Sequence, residues 1–208
     1  MTDDDNDLTA VTPRVEVGFP LAGDTVPLDH GYALYSAMSR VLGPELHGAA
    51  WLSVLPVRGL ARGDGTLALQ RHNTALRLRI EPARLPTVLP LAGKTLEVDG
   101  HRVLVGTSRV FALEPHPALH ARMVVIKKFM EEGPFREAVA RQLDARGVKA
   151  TIELERRRVL RIAGDTVVGF GVTLRGLSEA DSLTVQYAGV GGRQRFGCGV
   201  FTPARRET

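Results

Sequence analysis

Thirteen residues near the end of the chain hold the densest concentration of groups suited to gripping an anion: Gly189-Val190-Gly191-Gly192-Arg193-Gln194-Arg195-Phe196-Gly197-Cys198-Gly199-Val200-Phe201. Glycine accepts positive φ and lets another chain approach closely. Successive backbone N–H groups in such a loop form an anion-binding concavity, and the forked guanidinium groups of Arg193 and Arg195 match phosphate geometry. A dinucleotide fingerprint would need a strand before the glycines and a helix after them; here the order is reversed. No Gly-Lys-Ser/Thr follows, which excludes a Walker loop. The stretch therefore reads as a grip on a phosphate-bearing ligand, with a plain glycine-rich turn before a last strand as the alternative.

Proton-transfer chemistry near neutral pH falls first to histidine, whose reference pKa is about 6.5. The chain has six. His30 sits where a helix begins, and the positive end of a helix dipole would favour its neutral form. His47 follows the same helix, where a polar helix-end residue is the plain reading. His72 reads as a turn residue and His101 as part of a hairpin. His116 and His120 have the i, i+4 spacing of metal ligands, but Pro117 lies between them and the glutamate of a zincin motif is missing, so no metal is expected. Tyr35 lies at the rim of the helix stripe, with its hydroxyl able to reach solvent or a ligand. Further cations are Arg58, Lys127 with Lys128 at a strand end, and the run Arg156-Arg157-Arg158 at an expected hairpin, which also reads as a solvated charged turn.

Composition narrows the partner. The net charge is +4, the pI is about 9.6, and apolar residues make up 44%. With 23 Arg against 4 Lys, an acidic partner is favoured, nucleic acid first. Aromatics are only 5%, and no paired aromatics of the RNP type occur, which argues against base stacking on a sheet as the main readout. The single cysteine, Cys198, excludes a disulfide framework and a cysteine-based zinc site and fits a reducing, cytoplasmic setting. Residues 1–7 are acidic, unlike a secretory signal, and no apolar run approaches the roughly 18 residues of a membrane span. Residues 1–12 and 204–208 read as disordered tails.

The elements that must position these groups follow from periodicity and turn chemistry. Arg14 to Phe19 alternates as a strand. A turn at Ala22-Gly23-Asp24 leads to a helix from Leu28 to Leu42, with Leu34, Met38, Val41 and Leu42 facing a core and Gly31 allowing close packing. Gly43-Pro44 stops it. Strands are expected at Trp51–Val57, Thr66–Gln70 and Thr74–Ile80, the last two joined by a turn at His72-Asn73. A proline-shortened helix spans Pro82–Leu91. A hairpin over Asp99-Gly100 joins Thr95–Val98 to Arg102–Val105, and Arg109–Leu113 resumes the strand pattern. After a linker at Glu114-Pro115-His116-Pro117, the pattern repeats: strand Ala121–Lys127, helix Gly133–Arg146, strands Ala150–Glu155, Val159–Ile162 and Thr166–Leu174, helix Ser178–Ala188 with Ser178 as N-cap, and a last strand Phe196–Thr202. The order β-α-β-β-α-β thus appears twice, an α+β chain of tandem ferredoxin-like (RRM-like) folds, with domains at 13–115 and 118–203.

Three stretches in this order resemble the CRISPR-associated endoribonucleases of the RAMP (repeat-associated) superfamily: Asp29-His30-Gly31-Tyr32-Ala33-Leu34-Tyr35-Ser36-Ala37, Glu45-Leu46-His47, and the glycine loop Gly189 to Phe201. Lys127, Phe129 and Val168-Gly169-Phe170 also fit. The likeness runs from Val15 to Phe201. It implies two ferredoxin-like folds side by side, binding a CRISPR repeat and cutting the precursor transcript once per repeat without metal. The substrate's 2′-hydroxyl would be the nucleophile, leaving a 2′,3′-cyclic phosphate and a 5′-hydroxyl, and the guide RNA would join a type I interference complex. No cofactor, membrane or small-molecule partner is implied.

Carried across by position, His47 matches the family's catalytic histidine and Tyr35 a tyrosine on the first helix of some members; His30 competes with His47. The RNA grip falls to Gly189, Gly191, Gly192, Arg193, Arg195, Gly197 and Gly199, then to Arg156, Arg157, Arg158, Arg58 and Lys127. The sequence departs from the pattern in one respect: some members place a lysine soon after the histidine, whereas here none occurs before Lys94, and Arg58 is the nearest cation. The glycine loop is also shared by RAMP subunits that hold guide RNA without cutting it, which leaves a non-catalytic RNA-binding subunit as the alternative. A tandem RRM-like binder fits less well, given the scarcity of aromatics.

Overall fold

The computed structural model describes residues 11–70, 73–162 and 164–204. The expected tails at 1–12 and 204–208 fall largely outside these residues, as does the turn position His72.

In the first half, β1 (Val15–Ala22) and a short β2 (Thr25–Pro27) precede α1 (Gly31–Leu42) and a 3-10 turn, Gly43–Leu46. There follow β3 (Leu52–Leu55), β4 (Leu60–Ala61), β5 (Thr66–Ala68) and β6 (Ala75–Ile80). The segment expected as one helix over Pro82–Leu91 is 3-10 at both ends around a four-residue α2 (Leu85–Val88). Pro82, Pro86 and Pro90 each lack the N–H a longer helix would need. β7 (Thr95–Val98), β8 (His101–Val105) and β9 (Arg109–Phe111) complete this half. Asp99 and Gly100 both take positive φ (49° and 82°) and close the β7–β8 hairpin with Val98 opposite His101, as Asp-Gly turns favour.

The main sheet runs β3-β6-β1-β8-β7, with β9 also paired to β1. Within it, β8-β1-β6-β3 has the strand order of a ferredoxin-like fold, and its neighbouring strands run antiparallel. Val17, Phe19 and Leu21 of β1 meet Leu34, Ala37 and Met38 of α1 in one buried cluster. Thr66–Gln70 was expected beside Thr74–Ile80. Instead β5 leaves the main sheet and pairs with β2 and β4 in a separate three-stranded sheet, and α1 begins three residues later than expected because Leu28 and Asp29 form a turn after β2.

The second half comprises β10 (Ala118–Val124), α3 (Glu132–Asp144), β11 (Thr151–Ile162), β12 (Asp165–Arg175), α4 (Glu179–Ala188) and β13 (Thr202–Pro203). The sheet order β11-β12-β10-β13 repeats the ferredoxin-like arrangement. Its core joins Leu119, Phe135, Val139, Val172, Leu174, Val185 and Phe201. Ser178 caps α4, its hydroxyl accepting from the Asp181 amide at 3.1 Å. Arg156-Arg157-Arg158 do not form the expected hairpin turn. They lie within the single strand β11, at and after a bulge between Leu154 and Arg157. The expected last strand over Phe196–Thr202 is reduced to Thr202–Pro203, because Phe196 closes a 3-10 turn and Gly197 and Gly199 take positive φ (85° and 68°).

Polar bridges and an apolar cluster join the halves, and the Arg161 amide donating to Asp29 Oδ2 at 3.1 Å is one of the bridges. The Arg79 guanidinium, on β6 and only 1% exposed, donates to the carbonyls of Gln186 and Phe201 and pairs with Glu16 at 3.4 Å. Burial lowers its pKa to about 10, against the opposing pull of Glu16, so it stays charged at neutral pH. Ser53 of β3 donates to Gln194 Oε1 at 2.7 Å, and Gln194 Nε2 donates to the Ala188 carbonyl at 2.7 Å. Met123, Val125, Ile162, Val167, Phe196 and Cys198 pack together, with Tyr35 and Leu160 against them.

Candidate active site and nucleic-acid interface

Helix α1, the turn before His47 and the glycine loop converge on Tyr35. The Tyr35 hydroxyl donates to the Leu46 carbonyl. The Tyr35 ring stands perpendicular to Phe196 with centroids 5.1 Å apart, and the Arg195 guanidinium lies 5.9 Å from the Tyr35 centroid and 5.1 Å from that of Phe196. Gly31 makes this close approach possible: a Cβ there would sit 2.2 Å from the Phe196 carbonyl oxygen. His47 ends the 3-10 turn, its amide donating to the Pro44 carbonyl at 2.9 Å, and its side chain is exposed. The imidazole is thus presented to solvent on a short segment fixed from both sides.

Tyr32, one helical turn before Tyr35, was not singled out by sequence. It is 40% exposed and packs edge-on to Phe196 at 5.7 Å. The i, i+3 spacing of Tyr32 and Tyr35 was the available signal, since such residues share a helix face.

His30 stands differently. It is 2% exposed, its Nδ1 donates to the Pro27 carbonyl at 3.0 Å, and its Nε2 accepts from the Val57 amide at 2.9 Å. Both nitrogens are engaged, which fixes the neutral tautomer and leaves no lone pair for a substrate. Its pKa is lowered, as expected, but burial rather than the helix dipole is the leading cause, with Arg122 adding to it and the Pro27 carbonyl and Asp29 opposing. His30 ties β2 to the chain after β3, an arrangement that suits a structural role better than that of a rival catalyst.

The glycine loop is knitted into the protein rather than left as an open cradle. The Gly189 amide donates to Val185, Gly192 to Val125, Gly197 to Gln194 and Gly199 to Met123, all through carbonyls, and Gly191 donates to Gln142 Oε1 at 2.8 Å. Gly191 and Gly199 have φ of 72° and 68°, and a Cβ would lie 2.3 Å from the Val125 oxygen and 2.2 Å from the Val190 oxygen. These glycines serve close packing, and the expected anion cradle of amides at Gly189, Gly191, Gly192, Gly197 and Gly199 does not form. What the loop offers a ligand is side chains. Arg193 is exposed with φ 66°, and Arg195 lies against the aromatic pair. Cys198 is fully buried, and burial pushes its thiol up to about 12.

The other cations are dispersed. Lys127 is exposed just beyond the bridge between Val125 and Gly192. Arg58 follows Val57, the residue whose amide holds His30. Arg156 and Arg157 are exposed on β11. Arg158 turns toward Arg122 and His30 around a small inter-lobe cavity of about 30 Å³. Burial and the charges of Arg156 and Arg122 lower the Arg158 pKa. Sequence reading did not single out Arg122, which lies in β10; that strand starts three residues earlier than expected, at Ala118. Leu119, Ala121 and Met123 are buried and His120 and Arg122 are not. Among the described residues, no helix is long and apolar enough to cross a membrane.

The family model described as Cas6 Crispr matches residues 15–206. The chain belongs to the Cas6 family. A CRISPR-associated endonuclease Cas6 of Myxococcus xanthus (strain DK1622) is 45% identical over 192 residues, covering 92% of this chain and 82% of that protein. Among solved structures, a Cas6-related protein from Pyrococcus furiosus superposes with a TM-score of 0.66 at 14% identity, covering 94% of this chain and 99% of that one. A RAMP protein described as binding different RNA substrates reaches 0.63 at 14% identity, covering 93% and 100%. At such identity these two speak for the fold alone, which this Cas6 chain shares with them over almost its whole length.

Proposed function

We propose that this Cas6 chain is a metal-independent endoribonuclease that binds CRISPR repeat RNA and cuts the precursor transcript once per repeat. The observation that carries the reading is the Tyr35 latch. One tyrosine joins the helix, the backbone next to His47 and the arginine-bearing loop. Cleavage by the 2′-hydroxyl needs a proton acceptor at the nucleophile, a donor at the 5′-oxygen and positive charge near the phosphorane. His47 takes a proton-transfer role, and Arg195 or Arg193 takes the charge. Arg156, Arg157 and Lys127 hold the RNA by its phosphates. The products are a 2′,3′-cyclic phosphate and a 5′-hydroxyl, and the guide RNA passes to a type I interference complex in the cytoplasm. The two halves act as domains spanning 13–115 and 118–203. The endonuclease name of the 45% identical relative supports this reading.

The test is a single-turnover assay with 5′-labelled cognate repeat RNA in excess EDTA, with product ends analysed. One cut with a cyclic phosphate is expected, and His47→Ala should bind without cutting. Binding without any cleavage by the wild type would instead identify a non-catalytic RNA-holding subunit.

A further inference from the structure

The first half carries a second candidate RNA contact, on the sheet face that α1 does not cover. The register pairs Gly18 with Arg109 on one side and Arg77 on the other, and Glu16 with Phe111 and Arg79. Directly opposed residues project from the same face of a sheet. Val17 and Phe19 turn toward α1, so Arg109, Gly18, Arg77 and Phe111 share the opposite face. Gly18 leaves the centre of its row without a side chain, and the Phe111 ring leans over it: a Cβ at Gly18 would lie 3.4 Å from Phe111 Cε2.

Phe111 remains 50% exposed, and every other phenylalanine among the described residues is more buried. Arg77 is held by both oxygens of Glu16, at 2.6 and 3.1 Å, which neutralises the acid beneath the ring. Arg109 is exposed. A ring resting on a glycine, open to water and set between two guanidinium groups, has the shape and charge of a stacking platform for one unpaired base. The bases of a duplex are already stacked on each other, whereas those of a single strand are free to settle on an aromatic ring.

We propose that Phe111 stacks an unpaired base of the RNA, with Arg109 facing a flanking phosphate and Arg77 keeping Glu16 neutralised beneath the ring. This rests on the reading of the protein as an RNA binder. It stands beside the expectation that sheet stacking is not the main readout: one isolated aromatic suffices for one base where glycine makes the floor.

The probe is a ten-nucleotide unpaired oligoribonucleotide carrying one 2-aminopurine, read by anisotropy for affinity and by quenching for stacking, with the full chain and its Phe111→Leu and Phe111→Trp variants. Leucine keeps the apolar cover over Gly18 and removes the π face; tryptophan keeps both. Phe111→Leu should weaken binding by about fivefold to a hundredfold and abolish the quenching, and Phe111→Trp should retain both. Equal affinity and quenching in the wild type and Phe111→Leu overturn the proposal, as does a wild type that does not bind the oligonucleotide. Sedimentation showing that Phe111→Leu breaks up a dimer with oligonucleotide affinity unchanged would also overturn it and assign the patch to self-association. A wild type that binds and quenches the oligonucleotide but cuts no repeat RNA would overturn the nuclease reading and leave the platform standing.

Discussion

The hydroxyl of Tyr35 donates to the carbonyl of Leu46, the residue immediately before His47. A side chain on α1 thereby sets the backbone from which the candidate catalytic imidazole projects. Tyr35→Phe keeps the ring against Phe196 and Arg195 and removes only that bond, at a net cost of about 1 kcal/mol in stability. Its single-turnover cleavage rate should fall several-fold with RNA affinity unchanged. Parallel losses of rate and affinity, or no loss of rate, would show that the latch does not position His47.

Arg79 joins the two halves through the carbonyls of Gln186 and Phe201. Arg79→Ala leaves those carbonyls without their donor and opens a void, at a cost of about 3–5 kcal/mol. Urea titration should show the midpoint falling accordingly. Arg77→Ala, which removes a more exposed partner of Glu16, should cost about 1 kcal/mol or less.

His30 makes stability depend on pH. Its folded-state pKa lies below the ordinary value of 6.5, chiefly because it is buried. Below pH 6.5 the unfolded chain takes up a proton that the folded chain refuses, so acid favours unfolding. Stability from this residue is complete above 6.5 and is lost as pH falls toward the folded-state pKa. Melting temperatures from pH 8 to 5 should decline through this window, and the decline should be shallower in His30→Gln. An unchanged slope would remove His30 as its source.

Gly191 and Gly147 share positive φ, 72° and 68°, but differ in surroundings. A Cβ at Gly191 meets the Val125 oxygen at 2.3 Å, whereas at Gly147 nothing lies within 4 Å. Gly147→Ala should cost only the left-handed penalty, roughly 1–2 kcal/mol. Gly191→Ala should cost clearly more and displace the loop from β10. Chemical denaturation of the two variants checks the ranking, and equal costs would mean that the loop yields freely.

Local chemistry made much of this fold readable. Asp99-Gly100 fixed a hairpin, Ser178 a helix start and Gly31 a close contact, each because a single residue type answers a single backbone demand. Other features escaped because they depend on distant chain. The strand at Thr66–Ala68 has the expected alternation, but the choice between β6 and β2 as its partner is not written in its own residues. The arginine run at 156–158 looked like a turn because three charges interrupt the apolar pattern, whereas a bulge carries them within one strand. At the candidate site, the family resemblance pointed to His47 and Tyr35, and residue types pointed to the glycine loop. That His30 is buried with both nitrogens engaged, and that the loop amides are already spent, follows from packing between segments far apart in sequence.

Arg193 occupies a left-handed backbone position, φ 66° and ψ 27°, where glycine or asparagine would rest more easily. A redesign guided by conformational ease alone would replace this arginine early and gain roughly a kilocalorie per mole by doing so. The chain keeps instead a residue its own backbone disfavours, with the charged group left in water. With Arg193 in the RNA-holding role proposed above, position 193 is where thermostability and ligand recognition would pull in opposite directions, and a stabilised variant of this protein should be built around it rather than through it.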